Sequence, residues 1–417
     1  MCQICGDQTH SGIASALGLD TPEDLKGLRR RKLLAGGMGL MAAAPALMAG
    51  TGASAQTRGA KPVGNGPYPT RAWAARSEAF EFAPFDIQRR ALGPKDVLID
   101  VLYAGICHSD LHAVRQDWGK ANYPVVPGHE ILGRVTAVGK NVSKFRVGDI
   151  AGVGCMVDSC GTCENCLADR EQICLNGTTF TYGAPDKVSG GVTYGGYSEK
   201  LVVTEKFAIR IPPGMELQST APILCAGITT FSPIRHWNVK PGQRVGVVGL
   251  GGLGHMAVKL AVAQRAEVTI FTTSPGKIAD AQRLGAKDAV LWSDADAMKR
   301  LRGTQDLIIS TVPENFSIQP FMDALRNDGT LVNVGALGTL NPDLSGMMLA
   351  FGRKSLAGSM IGGIAETQEV IDYCFARNIK PDVELIRPDQ IGMAYDRVMK
   401  KDIRYRFVID FASAKAA

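Results

Sequence analysis

The stretch that most restricts the fold of this 417-residue chain is 241–263. Pro241-Gly242-Gln243 introduces the apolar run Val245-Gly246-Val247-Val248. Gly249-Leu250-Gly251-Gly252-Leu253-Gly254 follows, and a helical pattern covers 255–263. A bare G-x-G-x-x-G says little. Between a strand and a helix it specifies a tight turn that a pyrophosphate can approach, at a helix N-terminus whose free N–H groups favour anions. Strand and helix signals then alternate through 268–271, 278–284, 289–291, 307–310, 320–325 and 330–334, with a last strand near 356–359. This alternation predicts an α/β chain with a six-stranded, doubly wound parallel sheet.

The end of the second strand bears on the cofactor. A site for NAD expects Asp or Glu there, to accept from the ribose 2′-hydroxyl. The chain reads Phe271-Thr272-Thr273-Ser274-Pro275-Gly276-Lys277. Thr272, Thr273 and Ser274 can donate, Lys277 brings positive charge, and no carboxylate repels a 2′-phosphate. NADP(H) is the expected cofactor. The plainer reading makes Lys277 a solvated helix-start residue in a site that accepts either nucleotide.

Ahead of this unit, 73–211 reads as short β-runs punctuated by Gly and Pro, at 97–102, 131–138 and 197–203 among others. Runs this short predict a barrel-like antiparallel unit. Within it lies Cys160-x2-Cys163-x2-Cys166-x7-Cys174. Four thiols so close together can wrap one tetrahedral Zn²⁺ as a closed structural site. Disulfides and an iron–sulfur cluster are the alternatives, and cysteines three apart make strained disulfides. A second set is dispersed: Cys107-His108-Ser109-Asp110-Leu111-His112, then Gly128-His129-Glu130, then Cys225. Taken singly, such residues are buried small hydrophobes or solvated loop histidines. Together they offer Cys, His and Cys from separate segments, which suits a catalytic zinc with one open position.

The N-terminus reads as a targeting segment. Arg29-Arg30-Arg31-Lys32-Leu33-Leu34 runs into an uncharged Ala/Gly/Met-rich stretch reaching roughly Ala49, followed by Ala53-Ser54-Ala55. Paired arginines, an apolar run and a small-x-small site resemble a twin-arginine export signal. The apolar run is short and diluted by glycines and Pro45, so a membrane anchor is the weaker reading. Residues 1–55 are therefore expected to be a signal peptide, 56–70 a linker, and the enzyme periplasmic. Cys2 and Cys5 fall in the discarded leader. With 46 Lys+Arg against 40 Asp+Glu and no long basic run, nucleic acid is not an expected partner.

These motifs, in order from 71 to 410, resemble the zinc-dependent alcohol dehydrogenases of the medium-chain dehydrogenase/reductase superfamily. They are most similar to the NADP-dependent cinnamyl-alcohol-dehydrogenase-like branch, whose bacterial members act as aldehyde reductases. Gly105-Ile106-Cys107-His108-Ser109-Asp110, Pro127-Gly128-His129-Glu130, the four-cysteine run, the glycine motif ending in His255, Gly358-Ser359-Met360-Ile361-Gly362-Gly363 and Tyr405-Arg406-Phe407-Val408 carry the likeness. The resemblance implies a GroES-like catalytic domain (71–224 and 364–417) interrupted by a Rossmann domain (225–363). It implies two zinc ions. One would sit on Cys107, His129 and Cys225, with Glu130 ligating in some states, and the other on the four-cysteine run. Asp110 would orient His129, Ser109 would pass a proton towards His112, and Arg406 would reach the cofactor's phosphates. Trp118, Phe180, Met360 and Ile361 are candidate pocket walls. A homodimer through the nucleotide-domain sheet edge is expected by the same analogy. Two rivals are a zinc-binding or thiol-redox protein on a dehydrogenase scaffold and a zinc-independent quinone reductase. Both predict missing ligands, and every expected ligand is present.

Overall fold

In the computed structural model the described residues are 66–414, apart from 336, 337, 339, 341 and 342. The proposed signal peptide, Cys2, Cys5 and most of the linker lie outside them. No helix among the described residues is long and apolar enough to cross a membrane.

The alternating half of the sequence forms one six-stranded sheet. Its order is Asp288–Leu291, Glu267–Thr272, Arg244–Val248, Gln305–Ser310, Leu325–Asn333 and Ser355–Gly358, with every pair parallel. Strand order reverses between Arg244–Val248 and Gln305–Ser310, the switch point at which a doubly wound sheet opens a ligand crevice. The alternation of side chains explains why both faces are covered. Val245, Val247, Leu307 and Ile309 join one core cluster, while Val248, Ile308 and Leu331 join another with Phe271 and Phe321.

The punctuated half folds as a second sheet, ordered Val383–Ile386, Arg406–Asp410, Asp96–Gly105, Ile131–Val138, Ile150–Val153 and Ala208–Arg210, with Lys200–Thr204 also paired to Asp96–Gly105. All its pairs are antiparallel except Val383–Ile386 with Arg406–Asp410. That pair is joined through the helix Ile391–Met399, a crossover that permits parallel strands. The strand expected at 197–203 begins only at Lys200. Residues 197–199 pair first with the strand Tyr68–Ala75: the Tyr197 carbonyl accepts from Trp73 N–H, Ser198 bridges Ala72, and Glu199 N–H donates to the Arg71 carbonyl.

The two sheets share packing. Leu132 and Ile209 from the second sheet lie in the same core cluster as Val245, Leu260 and the helix residues Val370, Ile371 and Cys374. The chain returns from the parallel sheet along Ser359 to Gly363 and enters the helix Ile364–Ala376.

Candidate active site

Cys107 ends a strand turn and stands as N-cap of the helix His108–Val114, and its backbone N–H donates to the Asp110 carboxylate at 2.9 Å. His129 follows Gly128, whose φ of +102° places it in the left-handed region that favours glycine. Cys225 precedes the helix Ala226–His236. Folding brings these three segments together. Cys107 Sγ lies 3.8 Å from Cys225 Sγ, His129 Nε2 lies 3.2 Å from Cys225 Sγ, and Glu130 completes a fully buried group of four. Tetrahedral zinc with Zn–S bonds of about 2.3 Å sets two sulfurs about 3.8 Å apart, so the donor set fits the ion.

The surrounding groups prepare those donors. Asp110 is wholly buried, and its Oδ1 accepts from His129 Nδ1 (3.1 Å) and Gly128 N–H (3.2 Å). Nε2 of His129 is thereby left to face the thiols, the orientation a metal histidine needs. Oδ2 of Asp110 also accepts from the Tyr197 hydroxyl at 3.1 Å, and Tyr395 donates to Tyr197 at 3.2 Å. A hydrogen bond from Cys225, with Arg406 and His129 nearby, holds the Cys107 thiol well below its usual range. Burial opposes a charged His129, but Asp110 overcomes it and raises the imidazole. Burial pushes the Glu130 carboxyl up to about 7 against the pull of Arg406.

The four-cysteine run forms a separate lobe. Cys160 and Cys166 sulfurs are 3.8 Å apart, and those of Cys163 and Cys174 are 4.0 Å apart. All four are free thiols, which leaves them for a metal and not for disulfides. Backbone N–H groups of Thr162 and Cys163 lower the Cys160 thiol to about 5, the arrangement a thiolate ligand needs.

A cleft of about 720 Å³ joins the buried cluster to the glycine turn. Gly249 takes φ +89°, and a Cβ on Gly254 would lie 2.1 Å from the Gly249 carbonyl, so both positions require glycine. Gly254 packs beneath the turn. Gly251, Gly252 and Leu253 face the cleft, and a Cβ on Gly251 would meet nothing within 4 Å, leaving a cradle for a pyrophosphate. Thr272, Thr273, Ser274 and Lys277 line the far end of the same cleft.

The comparisons agree with this geometry. An alcohol dehydrogenase GroES-like domain model matches residues 93–213, and a zinc-binding dehydrogenase model matches 252–376. NADP-dependent alcohol dehydrogenase C 1 of Mycolicibacterium smegmatis is 50% identical over 346 residues, covering 83% of this chain and 99% of that protein. The chain belongs to the zinc-dependent alcohol dehydrogenases, in their cinnamyl-alcohol-dehydrogenase-like branch. The aldehyde reductase YahK of Escherichia coli is 48% identical over 341 residues, covering 82% of this chain and 97% of that protein. The crystal structure of CAD from Helicobacter pylori complexed with NADP(H) superposes with a TM-score of 0.77 at 41% identity, covering 82% of this chain and 98% of that one.

In this alcohol dehydrogenase Ser109 lines the cleft with its hydroxyl 3.7 Å from Cys107 Sγ. His112 lines it too, its Nδ1 2.8 Å from Asp117 Oδ2 and its ring beside His108 and Trp118. Trp118, Phe180, Met360 and Ile361 are all cleft walls. Lys277 donates to the Leu250 carbonyl at 2.8 Å, and burial, with Arg404 and Lys401 near, lowers its ammonium. Arg406 lines the cleft against Gly252 while pairing with Glu130, and its Nε is buried without a partner. Sequence reasoning missed Tyr197, Tyr395 and Tyr182, the last a cleft-lining ring 5.7 Å from that of His129. Cys155 also lines the cleft. Only the Gly-Gly-Tyr at 195–197 hinted at a crowded position: a Cβ on Gly195 would lie 2.2 Å from the Pro127 carbonyl.

Proposed function

We propose that this protein is a zinc-dependent oxidoreductase that interconverts primary alcohols and aldehydes with NADP(H), working chiefly as an aldehyde reductase. One observation carries the reading: Cys107, His129 and Cys225 converge with Glu130 beside the cleft that also holds the glycine turn. Cys107, His129 and Cys225 would hold the catalytic ion, and Cys160, Cys163, Cys166 and Cys174 the structural one. Gly249 to Gly254 and Arg406 would receive the cofactor's diphosphate, and Thr272, Thr273, Ser274 and Lys277 its 2′-phosphate. When bound, zinc supplies Lewis acidity at the substrate oxygen, and NADP(H) supplies or accepts the reducing equivalents.

The chain's own residues handle position and protons. Asp110 fixes the His129 tautomer. Ser109 exchanges the substrate's hydroxyl proton, and His112, held by Asp117, relays it to solvent. Trp118, Phe180, Met360 and Ile361 shape an apolar pocket for the substrate's side group. The catalytic unit is taken as 71–224 with 364–417, and the nucleotide unit as 225–363. The leader supports export by the twin-arginine route, which carries folded proteins, so zinc and cofactor would be loaded before transport to the periplasm. A homodimer through the edge strand Ser355–Gly358 is supported by the exposed Leu356, with Met347 and Phe351 exposed on the preceding helix.

Purification from the periplasm, zinc analysis and an aldehyde panel with NADPH and NADH test the reading. Zinc at both clusters and NADPH-linked reduction are expected. A metal-free, inactive protein overturns the activity, and recovery only from the cytoplasm overturns the location.

A further inference from the structure

The four-cysteine lobe reaches the substrate pocket through one carboxylate. Glu171 lies between Cys166 and Cys174 in the short 3₁₀ turn Glu171–Ile173, and its side chain is 1% exposed. A buried carboxylate is costly unless its oxygens are paired. Here Oε2 accepts the backbone N–H of Ile364 at 3.1 Å, and Oε1 pairs with Lys206 Nζ at 3.2 Å. Ile364 is the first residue of the 13-residue helix Ile364–Ala376, so the carboxylate meets the positive end of that helix. The chain entering the helix is pressed onto the same lobe. A Cβ on Gly363 would lie 1.8 Å from the Asp169 carbonyl and 3.1 Å from Glu171 Oε2, while one on Gly362 would lie 2.5 Å from Ile228 Cδ1 on the helix Ala226–His236.

Immediately before these glycines stands Ile361 at φ +41°. A β-branched residue in the left-handed region is strained, and such strain persists only where the surroundings over-determine it. Ile361 packs against both large core clusters and lines the cleft beside Met360. The lobe and the helix cap together supply the over-determination.

We propose that Glu171 is a positioning residue for the aldehyde pocket. By capping the helix Ile364–Ala376 from the four-cysteine lobe, it holds Ile361 and Met360 as the pocket wall. The proposal rests on the aldehyde-reductase reading of the same cleft, and it gives the lobe a role in substrate fit beyond holding a loop together.

The test compares Glu171→Ala, Glu171→Gln and Lys206→Ala in the zinc-loaded enzyme, with a bulky aromatic aldehyde, a short aliphatic aldehyde and NADPH. Amide exchange across 359–366 is measured in parallel. Glu171→Ala should raise KM for the bulky aldehyde roughly fivefold or more, as a displaced positioning wall does. The kcat for the short aldehyde, KM for NADPH and zinc content should stay at wild-type values, and exchange across 359–366 should quicken. Glu171→Gln keeps an acceptor for Ile364 N–H and should restore most of the bulky-aldehyde KM. If Glu171→Ala does not fold, the isosteric Glu171→Gln and the surface variant Lys206→Ala decide, each with a smaller KM rise in the same direction. Unchanged KM in every folded variant overturns the proposal, as does an equal rise for both aldehydes. A wild-type enzyme that reduces no aldehyde would instead sink the functional reading. The exchange rates would then still report whether Glu171 holds 359–366.

Discussion

Cys160, Cys163, Cys166 and Cys174 lie at most 14 positions apart, whereas Cys107 and Cys225, neighbours in space, are separated by 118. The compact lobe builds its donors from local backbone: N–H groups of its own turns steady the Cys160 and Cys163 thiolates. The dispersed cluster depends on distant partners. Asp110 orients His129, and Arg406, 276 positions from Glu130, supplies the buried positive charge. A local knuckle can form whenever its loop closes. The dispersed cluster exists only when both sheets and the segments joining them are in place. The difference suits the first to stability and the second to chemistry, because a site built from several segments can leave a ligand position facing a cleft.

Four variants separate the two clusters experimentally. His129→Ala removes a donor from the dispersed cluster and with it several kcal/mol of charge stabilisation, a loss of about 10³-fold in kcat/KM. Zinc analysis should find the lobe's metal retained and thermal stability little altered. Cys163→Ser should do the reverse. The lobe loses its ion, and since metal binding there is folding energy, the melting temperature should fall by roughly 10 °C while kcat largely survives. Limited proteolysis within 160–180 would locate the damage.

Lys277→Ala touches neither cluster. Losing a charged donor to the 2′-phosphate should weaken NADPH by about 10- to 100-fold and leave NADH unchanged, as read by cofactor titration. Equal losses for both cofactors would remove Lys277 from nucleotide selection.

The smallest effect is expected from acid. His255 is fully buried behind the glycine turn, its ring 5.0 Å from Tyr405 and nearly parallel to it. Burial, helped by Lys259 and Arg406, lowers its imidazole to about 3. Because this lies below the ordinary histidine value near 6.5, the folded state resists the proton. The contribution to stability is complete above pH 6.5 and is lost progressively as pH falls towards 3. At pH 5.5 it costs about 1 kcal/mol, which His255→Gln should abolish in melts run from pH 7 to 5.5. The 160–174 segment contains no histidine, so this loss belongs to the nucleotide turn and not to the cysteine lobe.

The contrast also explains what could be read from sequence. The compact cluster is legible because its ligands share one loop, and spacing alone brings them within bonding reach. The glycine turn is legible for the same reason: Gly249 and Gly254 touch within a single turn, so their constraint is local. The dispersed ligands are individually ordinary: taken together their residue types suggest a catalytic zinc, and the resemblance to a family pattern assigns Cys107, His129 and Cys225 to it. Tyr395 carried no signal, and Tyr197 only the two glycines ahead of it. Each is one aromatic among many, and the hydrogen bond between their hydroxyls spans 198 positions. Glu171 was hidden likewise, since its partner Ile364 lies 193 positions away. The strand expected at 197–203 starts late because 197–199 pair first with Arg71, Ala72 and Trp73, far upstream in the chain. In each case the missing information is a contact between segments that no local periodicity records.

On the proposed function, substrate oxygen meets its metal at Cys107, His129 and Cys225, and not at the cysteine lobe. Cobalt(II) exchanged into both clusters, followed by titration with an unreactive aldehyde analogue in the presence of NADP, tests it most directly. The absorption of the His129 site should shift on binding, the all-thiolate band of the lobe should not, and His129→Ala should abolish the shift. A shift confined to the lobe, or a response that survives in His129→Ala, would contradict it.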